Sequence, residues 1–140
     1  MAASSVPVSI LSQAECWDLL RGNAFGRLGL SVADEPEIFP INYAAQGDTL
    51  VFRTAQGTKL AALTINEAVA LEIDGYDDAG GWSVVVKGHA HAAEWGEDFD
   101  DAQVAELHPW VATLKPVFVR VVPELITGRK FRFGPEPDDL

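Results

Sequence analysis

The stretch Phe39-Pro40-Ile41-Asn42-Tyr43-Ala44-Ala45, followed by Gln46-Gly47-Asp48 and then Thr49-Leu50-Val51-Phe52-Arg53-Thr54, places two runs of β-forming residues around a turn. Runs this short, separated by a glycine-containing turn, read as antiparallel strands. Alternation puts Phe39, Ile41 and Tyr43 on one face and Pro40 and Asn42 on the other. Proline cannot donate to a ladder, so Pro40 marks an edge or a bulge where neighbouring backbone groups stay open to a ligand. The same pattern also fits an ordinary edge strand with Asn42 in a turn-like bond.

The pattern continues on both sides. Upstream, Ser12 and Glu15 stand at capping-box spacing before a helix from Gln13 to Arg21, which Gly22 and Asn23 end. Phe25 to Val32 is a strand, separated by Asp34-Glu35-Pro36 from one running from Glu37 to Ala45. Downstream, Gly57 to Ile65 reads as a brief helix. Ala68 to Tyr76, the turn Asp77 to Gly81, and Trp82 to Trp95 read as a hairpin. A second, acidic helix is expected over Asp100 to His108, and a last strand or strand pair over Pro116 to Phe133. Six or more strands with two or three short helices predict a mainly β fold, a small antiparallel barrel rather than βαβ units.

The length of 140 residues suits one domain, expected over residues 1–133, with 134–140 as a short acidic tail. Ten Lys and Arg against 21 Asp and Glu give a formal charge of −11, which argues against nucleic acid and anionic membranes as partners. The hydrophobic content of 48% is that of a folded chain. Cys16, the one cysteine, leaves no intrachain disulfide and reads as a small core residue. With no signal-peptide or membrane-span pattern at the N-terminus, a cytoplasmic location is expected. Neither a dinucleotide fingerprint nor a Walker loop is present.

Chemistry is most concentrated in Phe52-Arg53-Thr54-Ala55-Gln56-Gly57-Thr58-Lys59-Leu60. A strand ends, the chain turns at Gly57 and a helix begins, so free amides, two hydroxyls and two cations converge, the outline of a phosphate site. Solvated charges beside an ordinary cap give the same pattern. In Thr127-Gly128-Arg129-Lys130-Phe131-Arg132-Phe133, alternation sets Arg129 on the face of Phe131 and Phe133, where a bound anion or a carboxylate would be its partner. His89 and His91, two apart on a strand, could join His108 or Glu94 around a metal, or stand as half-exposed strand histidines.

Taken together, Gly26-Arg27-Leu28, Phe39 to Tyr43, Phe52-Arg53-Thr54 with Gly57-Thr58-Lys59-Leu60, and Gly81 to Gly88 resemble the pyridoxamine 5′-phosphate oxidase-like proteins. The similarity is closest to their small flavin-nucleotide-binding, nitroimidazole-reductase-like branch. It spans roughly Ser12 to Phe133. The resemblance implies a split β-barrel homodimer binding FMN between subunits. It implies that Arg53, Thr54, Thr58 and Lys59 hold the phosphate and that Pro40, Ile41 and Asn42 lie against the flavin ring. It places Trp82 and Ser83 near the flavin and lets Arg129 approach it. The C-terminal substrate pattern of the true oxidases is not recognised, which speaks against vitamin B6 oxidation. The expected function is a flavin-dependent oxidoreductase that takes electrons from a reduced nicotinamide for a small acceptor. The alternatives are a non-enzymatic flavin carrier or sensor and a reductase using the deazaflavin F420.

Overall fold

The computed structural model describes residues 7–55, 60–61, 67–93 and 116–134. Among these, the order is β1 (Val8–Ile10), α1 (Gln13–Arg21), β2 (Phe25–Val32), β3 (Glu35–Gln46), β4 (Thr49–Ala55), β5 (Glu67–Tyr76), β6 (Gly80–Ala93) and β7 (Pro116–Arg132). The strands form one antiparallel sheet in the order β1-β7-β4-β3-β2-β5-β6, and β6 pairs back onto β7. That last pairing closes six strands into a barrel, the mainly β architecture the sequence predicts.

Period-two alternation fills the interior. Ile41, Tyr43, Phe52, Leu71, Val84 and Val119 are all buried within one cluster. Side chains one residue along each strand face outward, and this outer face carries Phe25, Ile38 and Pro40 in exposed positions.

β7 joins the closure. Residues 116–121 pair with β4, the strand continues along β6 to Arg132, and its end takes up β1 through Val8↔Phe131 and Ile10↔Arg129. Glu124 is an extra residue between Gly88↔Pro123 and Lys87↔Leu125, a bulge where proline is tolerated. α1 packs where β4 has left β7: Leu11 N–H donates to the Gly128 carbonyl at 2.9 Å and the Gln13 amide to the Ile126 carbonyl at 2.7 Å. At the other end of α1 the Tyr43 hydroxyl donates to the Leu20 carbonyl at 2.8 Å. The capping box is present, with Ser12 Oγ accepting from Glu15 N–H and Glu15 Oε1 accepting from Ser12 N–H. Cys16 is fully buried, and burial pushes its thiol above the ordinary range.

Three details differ from the sequence expectations. The β2–β3 turn is Ala33-Asp34, at φ 51° and 65°, and Glu35 and Pro36 belong to β3 opposite Val32 and Ser31. A two-residue hairpin loop requires left-handed backbone at both central positions, which aspartate tolerates and which proline in Asp34-Glu35-Pro36 cannot supply. Gly80 and Gly81 belong to β6 rather than the turn, which Asp77 closes by accepting from Ala79 and Gly80 N–H at 2.8 and 3.1 Å. β1 was not expected, because a three-residue strand with exposed Val8 and Ile10 carries no periodic signal. Of the expected helix over Gly57–Ile65, Leu60 and Ala61 are helical and the remainder lies outside the described residues, as do the helix over Asp100–His108 and the tail from Pro135. No helix among the described residues is long and apolar enough to cross a membrane.

Candidate functional site

The outer face of β3 begins from its two prolines. Counting ladder bonds from the Ala33-Asp34 turn, Pro36 and Pro40 fall where the backbone nitrogen points away from β2. On that side β3 pairs with β4 only from Tyr43 to Gln46. Among the described residues, 35–42 have no strand paired on that side, and Pro40 sits on this edge as the sequence pattern requires. Pro40 is exposed and Asn42 half-buried on the outer face, whereas the Ile41 side chain is buried on the inner one. Ile41 can meet an outer-face ligand only through its backbone.

Carrying the Tyr43↔Phe52 register one residue further sets Arg53 beside Asn42 on the outer face. Arg53 pairs with Phe118 of β7 and its guanidinium carbon lies 5.7 Å from the centre of that ring. Thr54 follows on the inner-facing side of β4, half-buried. Thr58 and Lys59 lie outside the described residues. The sequence reading did not single out Arg120, which pairs with Val51 and stands diagonally from Arg53 on the same face. Its guanidinium donates to Thr49 Oγ1 at 2.6 Å and Gln46 Oε1 at 3.1 Å, which fix it over the β3–β4 turn. A lone arginine in the apolar run Val117-Phe118-Val119-Arg120-Val121 was the available signal.

Next to Pro40, Arg27 donates from Nη1 to Glu72 Oε1 and Asp74 Oδ1, each at 3.1 Å, and lies 5.8 Å from the Phe25 ring centre. Burial and the neighbouring Asp74 carboxylate hold Glu72 above the ordinary carboxylate range, while the two carboxylates raise Arg27 further and keep it charged.

Ser83 and Arg129 are paired with each other, and Asp74 and Ile10 flank them. Both belong to the outer face. From β3 to β6 the sheet takes three strand steps, about 14 Å, and Arg129 lies on the order of 30 Å along β7 from the residue paired with Arg53. One subunit therefore does not bring Arg53 and Arg129 to the same small group. Trp82 is on the opposite, inner face, half-buried, where it lies against Gly75.

The two alternatives for the histidines are met only in part by the described residues. His89 Nδ1 is paired with Glu124 Oε1 at the bulge, and no group of three or more His, Cys, Asp or Glu suited to a metal occurs among the described residues. His108 and Glu94 lie outside them.

A flavin nucleotide needs a flat strip with free backbone groups for its ring and a positioned cation for its phosphate. The β3 edge with Phe25, Pro40 and Asn42, unpaired with β4 up to Asn42, and Arg53 on the neighbouring strand are of the kind such a ligand requires.

A model of the family described as pyridoxamine 5′-phosphate oxidase matches residues 12–130. The uncharacterised protein Rv3129 of Mycobacterium tuberculosis is 52% identical over 93 residues, 66% of this chain and 84% of its own length. The FAD binding protein of Mycobacterium smegmatis has the same fold with a TM-score of 0.80 and 51% identity, covering 90% of this chain and 100% of that one. A FAD-binding protein of Mesorhizobium loti follows at TM-score 0.70 and 25% identity, over 88% of this chain and 96% of its own. With the barrel, the open β3 edge and the Arg53 strand in the expected order, the chain belongs to the pyridoxamine 5′-phosphate oxidase family.

Proposed function

We propose that this protein binds a flavin nucleotide on the outer face and works as a flavin-dependent oxidoreductase in a homodimer. The observation that carries the reading is the β3–β4 register, whose last pair, Tyr43↔Phe52, leaves Asn42 and Arg53 as the next residue of each strand, with Pro40 two residues further along β3. Arg53, with Thr58 and Lys59 of the same segment, holds the phosphate, and Thr54, whose side chain faces inward, contributes through its backbone. The β3 edge from Pro40 to Asn42 supports the ring. The FAD-binding relatives, together with a second guanidinium on the same face, favour the dinucleotide FAD over the FMN expected from the Arg53 segment.

A second copy completes the site. Ser83 and Arg129 are too far along the barrel to meet the ligand of their own Arg53, and a partner packed on the exposed outer face brings its own pair within reach. The flavin supplies the redox chemistry, with a reduced nicotinamide as electron donor. The chain's residues hold it, orient it and keep water from one side.

The test is release of the cofactor from freshly purified protein and its identification by mass, with a titration of apoprotein by FAD and by FMN. About one flavin per subunit is expected, and Arg53→Ala weakens binding by about tenfold or more, the loss of one charge-assisted contact. A protein that neither carries nor takes up flavin overturns the reading. Bound flavin that no nicotinamide reduces assigns the protein to flavin carriage.

A further inference from the structure

The inner surface beyond α1 carries a groove that the flavin reading does not use. Its larger part, about 500 Å³, lies between the tip of the β5–β6 hairpin and the end of β7, lined by Ser9, Tyr76, Trp82, Lys130, Phe131 and Arg132. A smaller part of about 280 Å³ continues toward α1, and Trp82 and Lys130 line both. The volume of the larger part is that of a small-molecule site.

Its shape follows from three glycines. A Cβ on Gly75 would stand 2.9 Å from three indole atoms of Trp82, so glycine lets the ring lie flat on β5. A Cβ on Gly80 would meet the Phe131 carbonyl oxygen at 2.0 Å, and one on Gly81 the Gly75 oxygen at 3.0 Å. The floor is bare backbone with the Trp82 ring on it, and Tyr76 and Phe131, which by register belong to the opposite face, border the hairpin end.

The charges are arranged along its length. Lys130 pairs by register with Trp82 and Ser9. Glu15 feels its charge, yet Lys130 makes no ion pair among the described residues. Arg132 lines the hairpin end and is engaged in an interaction of its own. Asp77, the carboxylate on that side, accepts from two backbone N–H groups of its own turn. Glu15 and Asp18 stand at the α1 end instead. Lys130, which lines both parts beside Trp82, is therefore the cation that meets a ligand anion, and Glu15 and Asp18 oppose one lying closer to α1.

We propose that this groove binds a small planar aromatic carboxylate, its ring on Trp82 and its carboxylate on Lys130. Trp82 offers a face for stacking, and an ammonium over bare backbone leaves room for a carboxylate oxygen. Trp82 and Lys130 lie on the face opposite to the one that carries Arg53.

The experiment is a calorimetric titration of the purified protein, with whatever flavin it carries, using salicylate, with benzyl alcohol and acetate as neutral-aromatic and non-aromatic controls. Salicylate is expected to bind about tenfold or more tightly than either control, and Lys130→Gln to remove that preference while Lys130→Arg restores it. Arg53→Ala, which weakens flavin binding, leaves salicylate binding unchanged. Lys130 is exposed, so the substitution leaves the fold intact, checked by circular dichroism. No preference for salicylate over the controls overturns the proposal. So does salicylate binding that is lost with Arg53→Ala and kept with Lys130→Gln, which places the probe in the flavin site.

Discussion

Gly128 shows how one residue can hold two elements in register. A Cβ there would stand 2.6 Å from Cys16 Sγ and 3.0 Å from Leu11 Cδ1, so the seat of α1 on β7 depends on a missing side chain. Gly128→Ala is expected to cost about 1–3 kcal/mol, because the buried Sγ has no room to retreat. Chemical denaturation of the variant beside the parent protein measures it, and an unchanged midpoint would show that α1 shifts freely. Nothing in the sequence marks Gly128 as different from Gly134, which has open space around it. The outer-face position of Asn42 was legible because it follows from strand alternation beside a proline. Trp82 and Ser83 are adjacent in sequence, and the same alternation sends them to opposite faces, which separates two residues that the family resemblance groups together. Arg120 was missed because its position beside Arg53 arises from a pairing between β4 and β7, which no local pattern reveals.

Among the elements, α1 was read correctly from end to end, since a capping box and a terminal glycine are local signals with a local cause. The Ser12 contacts, backbone first, lower the Glu15 carboxyl below its ordinary range, with the charge of Lys130 a smaller contribution in the same direction. A carboxyl whose folded-state value is depressed contributes stability that is present above its unfolded value and lost as pH falls through the folded one. Thermal melts across the acid range should therefore show the parent protein losing more stability below pH 4.5 than Glu15→Gln does. Parallel losses in the two proteins would mean that the carboxylate adds nothing to the helix start. The β2–β3 turn shows the reverse case: the proline at position 36 drew the boundary too far downstream. Strand position depends on which pair of residues can adopt left-handed backbone, and Ala33 is not a residue that advertises it.

At the scale of the molecule, the outer face exposes Ile38 and Phe25 around the ionic cluster of Arg27, Glu72 and Asp74. A monomer gains nothing from Ile38 in water, at 73% exposure, whereas a second copy would cover it. If the proposed homodimer packs on this face, Ile38→Asp is expected to give a folded monomer in analytical ultracentrifugation and to weaken flavin binding, since the proposed site loses the second copy. A variant that stays dimeric with full flavin content would place the subunit contact elsewhere. The barrel class was legible from the number of strands, but which strands β7 joins was not, because its sequence reads as one strand or a strand pair whichever neighbours it takes.

The way β7 closes the barrel also governs the order in which the protein can form. Its 17 residues join Leu50 through Val121, the β6 strand along its length, and Val8 through Phe131. The earlier hairpins, β2–β3 and β5–β6, close over short loops and can form while the rest of the chain is still a coil. The contacts that seal them into a barrel span most of the sequence and carry a large loop-closure entropy before they return any stability. Refolding is therefore expected in the millisecond-to-second range typical of such topologies, with a nascent chain that holds an unsealed sheet until residues 116–132 have emerged.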